Sequence, residues 1–195
     1  MSDLNEILYI PIGCDCSIAY QLQKHGMRVT AFPFDWCRMN SLDDLSSIIK
    51  TKFQFFFDKD HIVMDREATN FPFIEDNWID ELSTNIVLKH TLYGITFPHD
   101  MKKNVEKDVE KDVEFDTIIE KYKRRILRFD EVCKNDKIKK VFIRVTAKKE
   151  CVDDIDVIFR EYAVNYKIRL MYFDKKTKYE TWKKDEYDWI SFFSM

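Results

Sequence analysis

The sequence predicts an α/β protein of three layers, with a central, mostly parallel sheet flanked by helices. Three observations carry that expectation. Short β-branched runs alternate with amphipathic segments, the order that builds strand–helix–strand units. Only 3 Gly and 4 Pro occur in 195 residues, too few chain-bending residues for a many-turned β-sandwich. Hydrophobic residues make up 45% and aromatics 15% of the chain, which is ample apolar area to offset the entropy of folding. At roughly 150 residues per domain the length predicts one domain over 1–195.

The elements follow in order. Glu6 to Ile12 is an apolar run ending at Gly13, and Ser17 to His25 then reads as a helix closed by Gly26. Pro11 lacks a ladder donor, which predicts an edge strand or a strand ending there. Ser41-Leu42-Asp43-Asp44 matches a capping box and predicts a helix over 42–51, with Leu45, Ile48 and Ile49 inward. The segment from about 53 to 89 holds Phe55-Phe56-Phe57, Phe71-Pro72-Phe73 and Trp78 without a regular period, and reads as packed, irregular chain. Val87 to Phe97 contains a β-prone run stopped by Pro98. A charged tetrad repeat follows within about 102–116, with Val105, Val109 and Val113 four residues apart, and reads as a solvated insertion. Ile118, Tyr122, Ile126, Phe129 and Cys133 form the apolar stripe of a helix, which makes Cys133 a core residue. Lys140–Thr146 is a strand, Val152–Asn165 a helix, Ile168–Phe173 another strand, and Asp188–Phe193 a last short element.

Charge and cysteine usage exclude several classes. The 32 Lys+Arg against 35 Asp+Glu give a net charge of -3, so no basic field favours nucleic acid or an anionic membrane. Neither a secretory leader pattern nor a run of roughly 18 apolar residues is present, so a cytoplasmic chain without a membrane span is expected. Five cysteines, at 14, 16, 37, 133 and 151, are an odd number at uneven spacing, so reduced thiols are expected. A zinc set of Cys14, Cys16, Cys37 and a histidine is disfavoured, because Cys-x-Cys is tighter than usual and no second close pair exists. Glycines are too few for phosphate-loop or dinucleotide fingerprints, and no cofactor or metal is expected. Nothing in the sequence specifies an oligomeric state.

In parallel sheets, ligand sites form beyond the carboxyl ends of the strands. Those ends carry Gly13-Cys14-Asp15-Cys16, His99-Asp100, Arg144 and Asp174. Cys16 falls at the first turn of a helix, where unpaired amides lower a thiol pKa and can hold an oxyanion. The competing reading makes Cys14 and Cys16 small buried residues of the turn. Of the four histidines only His99 follows a strand end, which makes it the preferred base. Asp100 either caps the next segment or orients the imidazole; Asp35 or Asp174 could do the latter from other loops. Asp35, within Phe32-Pro33-Phe34-Asp35-Trp36, also has a structural reading as a cap, and Arg144 one as a buried ion-pair partner.

The run Ile10-Pro11-Ile12-Gly13-Cys14-Asp15-Cys16-Ser17-Ile18-Ala19-Tyr20-Gln21-Leu22, then Gly26-Met27-Arg28 and Phe32-Pro33-Phe34-Asp35-Trp36, resembles the opening of a family described as "putative papain-like cysteine peptidases". Phe97-Pro98-His99-Asp100, Lys121 to Phe129 and Val141-Phe142-Ile143-Arg144 agree with it in order. The resemblance implies that Cys16, rather than Cys14, is the nucleophile and His99 its partner, and that a papain-like α+β fold is the alternative architecture. It departs from the family pattern at Pro98, where an Asn is usual.

Two functions compete. In the first, a cysteine peptidase or related hydrolase transfers acyl groups of a peptide or acyl substrate through Cys16, His99 and Asp100. Gly13, the Ser17 amide, Asp35 and Arg144 then line the substrate and oxyanion side. In the second, the same fold is a catalytically silent recognition domain. A weaker variant places the nucleophile at Asp15 or Ser17.

Overall fold

The computed structural model describes residues 7–13, 15–39, 41–65, 85–102, 108–146, 149–173 and 182–194. Cys14, Asp174, residues 66–84 of the aromatic-rich segment and residues 103–107 of the tetrad region lie outside them.

Strand β1 (Ile7–Pro11) leads to helix α1 (Ser17–Lys24), strand β2 (Arg38–Met39) and helix α2 (Leu42–Lys50). A short 3-10 turn at Lys59–His61 precedes β3 (Ile62–Asp65), which is followed by β4 (Asn85–His90) and β5 (Ile95–Lys102). The long helix α3 (Asp108–Lys134), β6 (Lys139–Thr146), α4 (Val152–Phe159), β7 (Tyr166–Tyr172) and α5 (Trp189–Ser194) complete the order.

The α/β class is borne out, with its strands divided between two sheets. One is parallel, in the order β1-β6-β7, and the other antiparallel, in the order β2-β5-β4-β3. β1 is an edge strand, as Pro11 predicts, and lies in register Ile7 opposite Lys139 through Pro11 opposite Ile143. Strand β6 is central and buried on both faces from Lys140 to Thr146. Val141, Ile143 and Val145 meet Ile18 and Leu22 of α1 and Trp189, Phe192 and Phe193 of α5. Phe142, on the opposite face, joins Phe129 and Cys133 of α3 and Ile155 and Phe159 of α4. Period-two alternation thus serves two helical layers from one strand.

Helix starts follow local chemistry. Ser41 Oγ accepts from the Asp43 amide (3.1 Å) and the Asp44 amide (3.3 Å), as the capping box predicts. The end of α3 is covered by Lys140, whose Nζ donates to the carbonyls of Val132 and Asn135.

Four expectations are corrected. The irregular segment 53–89 contains β3 and most of β4, which pair Ile62 with His90 and Met64 with Leu88. Its pairing partners lie outside any local window, so periodicity does not show them. Residues 108–116, expected as part of a solvated insertion, are the first turns of α3. Helix α4 ends at Phe159, since the Tyr162 and Ala163 amides donate to the Phe159 carbonyl in a tight turn. Finally, the strand expected to stop at Pro98 continues through it to Lys102 and belongs to the antiparallel sheet. His99 therefore does not share the carboxyl edge of the parallel sheet with Gly13 and Arg144.

Pro98 is tolerated because β5 is bulged there. Leu88 pairs with Phe97 and Ile86 with Met101, so Pro98, His99 and Asp100 stand opposite Val87 alone. A bulge leaves ladder groups unpaired and re-aims side chains.

Candidate active site

The turn after β1 is built on Gly13, whose φ is +88°. A Cβ there would lie 2.9 Å from the movable Met39 Cε, so it is the left-handed conformation rather than space that calls for glycine. The Ile12 carbonyl beside it accepts from Arg144 Nη1 at 3.3 Å. Arg144 is fully buried and forks onto Glu150, with Nε to Oε2 at 2.6 Å and Nη2 to Oε1 at 2.9 Å. Its guanidinium ties β6 to the β1 turn and, through the Met39 carbonyl, to β2. That is the buried ion pair of its structural reading.

Cys16 occupies the N-cap position of α1 and is 1% exposed, and its side chain makes no capping hydrogen bond. Asp15 does the capping: its Oδ1 accepts from the Ser17 amide at 2.7 Å and from the Ser17 hydroxyl. The Ser17 amide, expected as an oxyanion donor, is therefore engaged by a neighbouring carboxylate. Burial pushes the Cys16 thiol up to about 12; Arg38 pulls it down, Asp15 pushes it up, Lys184 pulls it down and Asp100 pushes it up. The helix end does not overcome desolvation, so the resting group is a thiol, in contrast to the thiolate that its sequence position suggests.

Asp15, itself half-buried, pairs with the buried ammonium of Lys184. Burial works to raise its carboxyl, but the Lys184 charge and hydrogen bond, with help from Ser17 and Arg38, hold it below the usual range.

The half-buried His99 ring lies between two tryptophans. Its centroid is 5.6 Å from Trp36, edge-on, and 5.5 Å from Trp182. Trp182 in turn meets Tyr20 of α1 edge-on at 5.4 Å. Tyr20 is four residues after Cys16, and its amide donates to the Cys16 carbonyl at 3.1 Å, so both side chains leave one face of the helix. Tyr20 and His99 thus both meet the Trp182 ring, and Cys16 lies one helical turn before Tyr20.

Asp100 turns to α3 instead. Tyr122 donates its hydroxyl to Oδ2 at 2.7 Å, and Lys121 pairs with Oδ1. Asp35 is fully buried, and its Oδ2 accepts from Arg28 Nε (3.0 Å), Arg28 Nη2 (2.6 Å) and the Phe32 amide (3.1 Å). Burial raises the Asp35 carboxyl, opposed by Arg28. The role is structural, but Asp35 reaches back to the Phe32 amide of its own turn and to Arg28 rather than capping the next turn.

Sequence reasoning singles out Cys16 and His99 but not Trp36, Trp182, Arg38 or Lys184 as their surroundings. Trp36 stands in the Phe-Pro-Phe-Asp-Trp run and could have been found there. Lys184 lies in a charged stretch with no pattern that marks it. Among the described residues no three His, Cys, Asp or Glu side chains converge as a metal site, and no helix is long and apolar enough to cross a membrane.

A family profile described as "Putative papain-like cysteine peptidase (DUF1796)" matches residues 7–176. "Uncharacterized protein R408" of Acanthamoeba polyphaga mimivirus is 34% identical over 141 residues, which are 72% of this chain and 62% of the viral protein. The chain thus spans less than two thirds of that relative's length. No solved structure matches it.

Proposed function

The chain belongs to this family, described as "putative papain-like cysteine peptidase", and on that premise we propose that it is a cysteine hydrolase with Cys16 as nucleophile and His99 as base. The single observation that carries the reading is the placement of Cys16 at the head of α1, one turn before Tyr20, with Tyr20 and His99 both against the Trp182 ring.

His99 takes the proton from Cys16 Sγ, and the sulfur attacks the acyl carbon of a peptide or other acyl substrate. The carbonyl electron pair moves onto oxygen and returns as the leaving group departs with the proton from His99. Water then attacks the thioester, releasing the acid and restoring the thiol. The Arg38 charge, which favours the Cys16 thiolate, also suits the developing oxyanion. With a thiol at rest, ionisation accompanies substrate entry.

The burial of Cys16, 1% exposed, favours a second reading, a recognition domain that keeps the motif as structure. A thiol-directed acyl probe separates the two. The hydrolase reading expects a covalent adduct on the wild type that is lost in Cys16→Ala and much reduced in His99→Ala. Labelling equal in all three, or absent from the folded wild type, overturns it in favour of recognition.

A further inference from the structure

The family match ends at residue 176, yet the chain beyond it returns to the candidate site. Residues 182–185 lie along α1. Gln21 Nε2 donates to the Lys183 carbonyl at 2.6 Å and to Asp185 Oδ1 at 2.7 Å, and Lys24 pairs with Asp185 at 2.8 Å. Trp182 adds its ring contact with Tyr20. These contacts already dock the segment, so the buried charge between them calls for a separate reason.

That charge is Lys184, 5% exposed. Its backbone is left-handed, at φ +54°, a conformation side-chain-bearing residues adopt only under constraint. The Lys184 carbonyl accepts from Trp189 Nε1 at 2.7 Å, and Nζ lies 4.5 Å from the centre of the Phe173 ring. The residue is held from both ends with its ammonium on the carboxylate of Asp15. Burying an ammonium against a half-buried carboxylate seldom adds net stability, so its presence beside the candidate nucleophile points to a role in the chemistry.

We propose that Lys184 is a positioning residue for Cys16: it holds Asp15, and through Asp15 the first turn of α1, and it balances the carboxylate charge beside the thiol. The inference deepens the hydrolase reading and rests on it for its purpose. The charged and titratable groups acting on Cys16 include Arg38 from β2, Asp100 from the β5 bulge, Asp15 from its own turn and Lys184 from the C-terminal segment; His99, on the Trp182 ring, is the proposed base, and Cys16 in turn helps to push the Cys37 thiol up. Of the two cations, Lys184 is the one bound to the carboxylate next to the nucleophile.

The test is the pH profile of iodoacetamide alkylation at Cys16, localised by fragment ions in the full-length chain. Replacing the ammonium in Lys184→Met leaves Asp15 uncompensated, and the rate at about pH 8 falls about tenfold or more, as an upward shift of one pH unit requires. Lys184→Arg restores most of the rate, and Lys184→Met combined with Asp15→Asn recovers it by removing the carboxylate. A purely packing role predicts the opposite, faster alkylation in Lys184→Met as the site loosens, and that result overturns the proposal. If Lys184→Met does not fold, Asp15→Asn alone decides: a downward shift of the profile supports the proposal, and an unchanged or upward one overturns it. Alkylation does not require turnover. A chain inert to the acyl probe that still shows these shifts keeps the positioning role and loses the hydrolase reading, and labelling without the shifts does the reverse.

Discussion

The parallel and antiparallel sheets share one core but differ in what their strands carry. In the parallel sheet, β6 is buried throughout, and its Phe142 stacks on Phe159 with centroids 4.3 Å apart. In the antiparallel sheet, β5 is interrupted by a bulge, and its Asp100 bonds the Tyr122 hydroxyl inside the fold. Regular pairing lets β6 bury both faces, with Arg144 and Lys140 held by partners within the fold, while the bulged strand gives up ladder bonds and re-aims His99 and Asp100. Cys16 stands at the head of the helix that follows the edge strand of the first sheet, and His99 stands in the bulged strand of the second, so the candidate residues come from a regular and an irregular scaffold.

The comparison breaks first at Phe142. Phe142→Ala should cost about 3–5 kcal/mol through the cavity it leaves, which lowers Tm by roughly 10 °C in a chain of this size. A loss under about 1 kcal/mol in chemical denaturation would show that the parallel sheet is not the stabilising half. Arg144→Met should come next, at about 3 kcal/mol, because it strands the buried Glu150 carboxylate. Combining it with Glu150→Gln should return part of that loss.

On the antiparallel side, Tyr122→Phe removes one donor to Asp100 and should cost only about 1–2 kcal/mol. Urea unfolding of this variant beside Phe142→Ala sharpens the contrast, and equal losses would erase it. The smallest effect is a pH dependence at the β4–β5 turn. His90 Nδ1 accepts from the Leu92 amide (3.1 Å) and the Tyr93 amide (3.2 Å), while Nε2 meets the Phe55 carbonyl at 2.6 Å. That arrangement fits the neutral ring, and burial lowers its pKa against the pull of Phe55. The unfolded chain then binds the proton more readily. The His90 contribution is complete above the unfolded value of about 6.5 and is lost as pH falls through the lower folded value. Tm should drop more steeply below about pH 6.5 in the wild type than in His90→Gln, and parallel curves would count against this.

Strands and helices whose signals are local were legible in the sequence. β1, α1, α2, β6 and β7 fall within a few residues of their expected bounds because apolar period, caps and glycine positions are written in adjacent residues. The β3–β4 pairing and the bulge were not, since a bulge is a relation between two strands and Pro98 alone reads as a stop. The candidate site divides in the same way. Cys16 and His99 each sit beside a recognisable local feature, whereas Lys184 reaches Asp15 across 169 residues. The thiol's burial likewise depends on the assembled fold, and it reverses the pKa direction that the helix end suggested.

Helix α3 has one further consequence. Its 27 residues span about 40 Å, with Tyr122 5.3 Å from Phe97 of β5 and Phe129 6.2 Å from Phe142 of β6. One continuous beam therefore braces both sheets, and neither can lift away without tearing its rings from the same helix. Amide hydrogens at the centres of β5 and β6 should exchange with solvent through a common opening event, so the two sheets keep their relation until the fold gives way as a unit.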